Sequence, residues 1–532
     1  MVQYINNSGF QQFSVAKDAK KKGRAGSPFV WAAIAVLAGW LTYSWFMPKN
    51  EPVKSGGADI STAQQSEDIT NVPAERLIGN TISARVAGLR ISDIELKNYL
   101  EDDGTNVRLL GAQNEFLEVG FSATGTSVPL PSTLWKMNRA APGEEITMFW
   151  KSPEGVEFRR SLTMTQDYVL SVRDTVINNS KSQISMSQYS RIVRSAGDTS
   201  AMIGIETGGI AFTSSGMERD SWKALSKKPQ MYQTSGGFVG FTDRYWQTVV
   251  RADGTGVADE TMRIRGRSDG MFQADIAPES TIIAPGAEMT WTAVVFAGPK
   301  NQADLAAAVA MIPGIDQTID YGWFWFLTRP FLWSINALHG LVGNYGIAII
   351  LFTILLRILM WPLTKKSFTG MAAMQKMQPE MQRIQKMYAN DKMRMQQEMM
   401  AMYKRQGSSP VSGCLPMILQ IPIFFALYKT LLISVPMRQA DFLWITDLSA
   451  MDPFFILPIL MGATMWYQQR LQTGGMQNAA ADGPAANMQK MMKWMPLIFT
   501  AMFAWMPAGL VLYWTVSNLF GIGQLWWIKK KS

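Results

Sequence analysis

Hydrophobic positions fall into two patterns along the chain, and the change between them divides it. FVWAAIAVLAGWLTYSWFM (Phe29 to Met47) is apolar almost throughout its 19 residues. At about 28 Å as a helix it matches one hydrocarbon core and predicts an uncleaved transmembrane anchor at 29–47. Residues 48–75 are rich in Ser, Gly, Gln and Asp without a period, as in a linker. From 76 to 312 the segments are short and alternate. In YVLSVRDTVIN, Tyr168, Leu170 and Val172 share one face, the period of a half-buried strand, and MTWTAVVF repeats it. Gly, Pro and Asn clusters between such segments predict a large soluble β-sandwich. NQADLAAAVAMI (Asn301 to Ile312) predicts a short helix at its end.

After residue 320 long apolar runs return. YGWFWFLTRPFLWSINALHG (321–340) mixes aromatic residues with Arg329 and Pro330, which predicts an amphipathic helix lying in the membrane interface. Runs at 345–363, 415–435, 454–469, 494–506 and 509–528 predict five transmembrane spans, so the expected class is a membrane α-helical bundle, five spans plus the N-terminal anchor, carrying the β-sandwich. Two of the runs reach only about 20–24 Å and imply a thinned bilayer or support from neighbours. Between the first two spans, Met371, Met374, Met377, Met381, Ile384 and Met387, then Met395, Met399 and Met402, recur at helical spacing around the turn ANDK. A helical hairpin at 365–408 results. Its methionines either pack one helix on the other or offer a polarisable surface to varied apolar segments.

Charge orients this arrangement. Residues 48–320 carry 26 Lys/Arg against 33 Asp/Glu, whereas 1–28, 365–408, 470–493 and 529–532 together carry 20 against 5. Basic segments beside spans stay in the cytoplasm, so both termini, the hairpin and the 470–493 loop are expected inside and the acidic β domain outside. Cys414 is the sole cysteine, which excludes an intrachain disulfide. There is no P-loop, no Cys/His cluster and no Gly-Xaa-Ser-Xaa-Gly elbow, and the sole histidine is His339. The expectation is a protein that is not an enzyme and uses no cofactor or metal.

One residue breaks the apolar pattern. Arg357 lies inside IAIILFTILLRILMWPLTKK, where a charge at the centre of a span costs roughly 2.5–3.5 kcal/mol. None of the seven acidic residues after 321 falls within a predicted span, and Lys365 is about 12 Å along the axis, beyond comfortable snorkelling. A water-filled recess opening to the cytoplasm explains the arginine. Thr353, one turn before it, and Gln420 in the next span extend a polar lining, although either residue commonly bonds a helix backbone instead. Lys429, near the outer end of its span, is expected to snorkel outward.

LLRILMWPLTKKSFTGMAAMQKMQP, GCLPMILQIPIFFALYKTL, DLSAMDPFFILPILMG and MPAGLVLYWTVSNL, in this order, closely resemble the YidC-type membrane protein insertases of Gram-negative bacteria. IDYGW and VVFAGPK carry a looser resemblance in the β region. The resemblance implies an insertase and chaperone of the inner membrane, with a hydrophilic, cytoplasm-facing groove that accepts nascent membrane proteins, alone or with the Sec translocon. The ribosome, the accessory subunits of the translocon and membrane lipids are the implied partners. Arg357 matches the groove arginine, and Thr353, Gln420, Phe424, Trp505 and Tyr513 match groove or substrate-contact positions. Trp514 stands where the family often has a second tyrosine, and an indole donates but cannot accept a hydrogen bond. The hairpin, with Met371, Met374, Met381, Met395 and Met399, is the implied client guide. A secondary transporter is the alternative that an intramembrane charge allows, but it predicts paired carboxylates or inverted repeats, and neither is visible in the spans. A membrane-anchored periplasmic carbohydrate binder is a third class, for which the last five spans would be dispensable.

Overall fold

The computed structural model describes residues 71–139, 145–197, 205–254, 259–389, 391–405, 415–473 and 484–531. The predicted basic N-terminus, the anchor, most of the linker and residues 474–483 of the 470–493 loop lie outside the described residues. Between Ala74 and Pro299 two antiparallel sheets, of ten and nine described strands, pack face to face. In the larger, Ile184–Arg194 pairs with Phe116–Thr124 and Phe272–Pro278. In the smaller, Glu288–Pro299 pairs with Trp246–Gly254 and Val169–Asn178. Val119, Ile192, Val172 and Phe296 are among the fully buried side chains of the shared core.

The alternation read from YVLSVRDTVIN places Leu170, Val172 and Val176 inward, but the strand starts at Val169. Tyr168 occupies the preceding turn with φ of 64°, and its ring is buried there. Asp174 takes an inward position that the pattern would give to an apolar residue. It is tolerated because Arg160 donates to it from Nε and Nη2, each at 2.7 Å, and Gln188 donates at 2.7 Å. Arg160 also donates to the carbonyl of Val119 at 2.7 Å, so the two charges are buried together and each is hydrogen-bonded.

Among the described residues the α-helices are α1 (Trp222–Leu225), α2 (Gln302–Ala308), α3 (Trp325–Val342), α4 (Tyr345–Leu359), α5 (Trp361–Met387), α6 (Lys392–Arg405), α7 (Leu415–Ile433), α8 (Ile456–Thr473), α9 (Pro484–Phe503) and α10 (Ala508–Lys531). Asn301 caps α2 by accepting from the N–H groups of Ala303 and Asp304. Gly343, at φ of 72°, ends α3 in the left-handed conformation that glycine adopts without a Cβ clash. The apolar run 345–363 does not form one helix: α4 stops at Met360, and Pro362 in the first turn of α5 restarts the chain. α9 begins at Pro484 rather than near 494, and α8 runs on to Thr473, so both extend into polar sequence. Among the described residues no helix is long and apolar enough to cross a membrane. α4, at 15 residues, reaches about 22 Å.

α3, α4 and α7–α10 share a second core that includes Phe331, Ile349, Leu427, Met461, Val511 and Tyr513. Any side chain at 346 would meet the Phe442 ring, whose nearest carbon lies 2.2 Å from an ideal Cβ, so Gly346 lets the loop after α7 close on α4. In that loop the Asp452 carboxylate accepts from Leu457 N at 2.7 Å, Phe454 N at 3.1 Å and Trp444 Nε1 at 3.1 Å, which fixes the start of α8. The sandwich docks on the same end of the bundle. Arg244 donates to the carbonyls of Leu432 and Ser449 at 3.2 and 3.3 Å, Tyr245 donates to Ser449 Oγ at 2.9 Å, and Arg438 pairs with Glu101 at 2.8 Å. Trp323, Trp325, Phe326 and Trp333, along and just before α3, leave large aromatic surfaces exposed.

Candidate functional site

Three helices bring polar side chains together inside the helical region. Arg357, in the last turn of α4, donates from Nε to Ser517 Oγ on α10 at 2.7 Å, and its Nη2 points at the same oxygen. Tyr513 lies one turn before Ser517 on α10 and is almost wholly buried. Gln420, from α7, donates its amide to the Tyr513 hydroxyl at 2.9 Å. Among the described residues Arg357 forms no ion pair, and its only side-chain partner is a neutral hydroxyl. A guanidinium has five N–H donors, so such a site keeps donors for an acceptor that enters it.

The remaining candidates separate around this group. Phe424 and Trp514 stand 5.6 Å apart between ring centres, with Phe503 at 5.8 Å from the first and 5.1 Å from the second, forming an aromatic wall. Trp514 contributes its ring to this cluster. Thr353 is fully buried, and its hydroxyl donates to the carbonyl of Ile349 at 2.6 Å. It braces its own helix rather than joining the polar group around Arg357, because a backbone carbonyl one turn back is the nearest acceptor for a threonine in an apolar helix. Trp505 is 71% exposed and its ring neighbour is Phe455, at 6.3 Å, so it stands apart from Arg357.

Sequence reading missed Ser517. Its signal was present: in YWTVSNL it lies four residues after Tyr513 and therefore on the same helical face. The expectation for Lys429 needs correction. Instead of snorkelling to water it forms an ion pair with Asp320, which precedes α3, and its side chain is 10% exposed. Burial alone would raise the Asp320 carboxyl, but Lys429 and the Gly322 N–H outweigh it and hold the group below its ordinary value. Lys300, half-buried beside this pair, is pushed down to about 8 by desolvation, partly opposed by Asp243.

In the hairpin of α5 and α6, Met377, Met402 and Tyr403 form a small core against which Met381, Ile384 and Met399 pack. Met395 is half-buried, while Met387, Met393 and Met400 are more than half exposed. Met371 and Met374 fall on α5, and their side chains lie outside the described residues. Among the described residues no group of His, Cys, Asp and Glu could hold a metal ion.

Residues 337–532 match the family described as 60Kd inner membrane protein, and residues 80–334 match the YidC periplasmic domain. The membrane protein insertase YidC of Rickettsia canadensis is 34% identical over 511 residues, covering 88% of this chain and 89% of that protein. The membrane protein insertase YidC of Granulibacter bethesdensis is 34% identical over 511 residues, covering 87% and 86%. A crystal structure described as an active YidC insertase with the first transmembrane domain resolved covers 93% of this chain and 98% of its own at 17% identity, with a TM-score of 0.37.

Proposed function

The chain belongs to the YidC family of membrane protein insertases, with a periplasmic β-sandwich domain, and from that premise we propose how its parts divide the work. α4, α7, α8, α9 and α10 traverse the inner membrane as a five-span core, and α3 lies in the outer interface on its exposed tryptophans. The hairpin and both termini face the cytoplasm. The short α4 sits in a locally thinned bilayer, which lowers the barrier to passage of polar segments.

Nascent polypeptides enter the recess around Arg357, Gln420, Tyr513 and Ser517 from the cytoplasm. The guanidinium attracts acidic or polar tails, and the aromatic wall of Phe424 and Trp514 contacts apolar stretches. Sideways release of the apolar segment into lipid supplies the driving force, at roughly 25 cal/mol per Å² buried, without nucleotide hydrolysis. The hairpin guides clients by its exposed methionines Met387, Met393 and Met400, since Met381 and Met399 are occupied with packing. The ribosome and the Sec translocon with its accessory subunits deliver or share these clients.

The observation that carries this reading is a guanidinium in an apolar helix whose partner among the described residues is a serine hydroxyl and not a carboxylate. The test is photocrosslinking with probes at Gln420 and Met393 while ribosomes display a stalled membrane-protein segment. Both positions are expected to capture the nascent chain. Capture at neither, with the protein folded in the membrane, would remove the recess and the hairpin from the client path.

A further inference from the structure

The outer face of the smaller sheet carries a cationic pocket that the insertion mechanism does not use. Strand pairing sets Lys136, Phe149, Arg159 and Thr175 side by side across Lys136–Arg139, Ile146–Lys151, Val156–Gln166 and Val169–Asn178. The next row in the same register contains Thr147, Ser161 and Arg173. The alternate positions Met148, Leu162 and Val172 are buried in the core, which puts both rows on the outside. These residues line a cavity of about 380 Å³, within the range of small-molecule sites.

Its charge is unlike that of its surroundings. The stretch 48–320 carries more acidic than basic residues, 33 against 26, yet neither row contains a carboxylate. Arg159 is paired with Glu157 at 2.6 Å, whereas Lys136 and Arg173 form no ion pair among the described residues. Lys136 and Arg159 stand two strand spacings apart, about 10 Å, and Arg173 lies diagonally across the next strand, about 8 Å from Arg159. The cations therefore bracket the pocket, with the Phe149 ring between Lys136 and Arg159 and the hydroxyls of Thr147, Ser161 and Thr175 beside them. A single monovalent ion cannot meet all three, but one small ligand with several oxyanion groups can.

We propose that this face binds a small multivalent oxyanion, a polyphosphate or polycarboxylate of the periplasm, held by Lys136, Arg159 and Arg173 through charge-assisted hydrogen bonds. Guanidinium groups suit either oxyanion, since each presents two oxygens to the planar fork. The site is independent of the Arg357 recess and its failure would leave that reading untouched.

The experiment is calorimetric titration of the full-length protein in detergent with pyrophosphate, citrate, acetate and glucose at low salt. Pyrophosphate or citrate, or both, is expected to bind with a Kd below about 1 mM, and the choice between them identifies the oxyanion. Added salt weakens the binding. Lys136→Gln and Arg173→Gln are each expected to weaken it about tenfold without changing thermal unfolding, because both side chains are exposed. Absence of binding by both multivalent anions would overturn the proposal. So would equal binding of acetate, or affinities unchanged in the two variants.

Discussion

At the scale of single residues, the sandwich holds carboxyls whose environment makes stability depend on pH, and Glu260 is the most deeply buried of the raised ones. Glu260 is 1% exposed, and burial pushes it up to about 7, with the Gly237 N–H at 3.2 Å and Arg251 only partly opposing the shift. Below a pH of about 4.5 the group is neutral in the folded and the unfolded chain alike. Between about 4.5 and 7 the unfolded chain loses the proton first, so stability falls as pH rises through that window, by on the order of 3 kcal/mol. Glu260→Gln keeps the shape and removes the titration. Thermal unfolding of parent and variant at pH 5 and pH 8 checks this: the variant is expected to flatten the pH dependence and to melt higher at pH 8. An unchanged profile would remove Glu260 as its source. The polar group around Arg357 shows how far residues could be read from sequence. Arg357 and Gln420 stood out because each places a polar group in an apolar run, whereas Tyr513 was named only by the family resemblance; the structure brings all three together. Ser517 did not, because a serine in a helix usually bonds its own backbone and nothing in its type reveals that a guanidinium sits opposite.

Between elements, the contact that sequence could not foretell is the pair of Asp320 and Lys429. The two are 109 residues apart, and the acidic partner lies just outside the apolar sequence, so a count of charges within spans passes it by. It ties the segment before α3 to α7. Removing one partner leaves the other charge poorly solvated, and because Asp320 keeps 31% of its side-chain exposure the cost is about 1–3 kcal/mol rather than the full buried value. Lys429→Met and Asp320→Asn are each expected to lower the unfolding temperature, and the double variant to lose less than the two together. Strict additivity in unfolding of the purified protein would contradict a direct coupling. The helices themselves were largely legible from their apolar runs. The break at Met360 was not, since the proline that marks it sits in a first turn, where a helix accepts it. Hairpin methionines at one spacing divide into packed and exposed sets, because helical period fixes which face a residue takes but not what covers that face.

Across the whole molecule, the sandwich and the helical region each have their own hydrophobic core, joined by polar contacts through Arg244, Tyr245 and Arg438 and by the apolar side chains of Leu332 and Ile433, which pack against the sandwich core. Units with separate cores and a limited junction can be separated. Deletion of 76–295 is therefore expected to preserve insertion, whereas scrambling 321–340 should abolish it by freeing α4 from its fixed depth. Complementation of a depletion strain at matched membrane abundance measures both, and growth with the scrambled helix would reverse the assignment. The alternating pattern made the sandwich legible, but not Arg160 and Asp174 inside it, where two charges satisfy each other across neighbouring strands. The central claim is that Arg357, which has no ion pair among the described residues, draws polar tails into the proposed recess. Its most direct test is insertion by reconstituted parent and Arg357→Ala proteins of two substrates that differ only in the charge of the translocated tail. The account predicts a loss of about tenfold or more for the acidic tail and a much smaller loss for the neutral one. Equal insertion of both tails by variant and parent would contradict it.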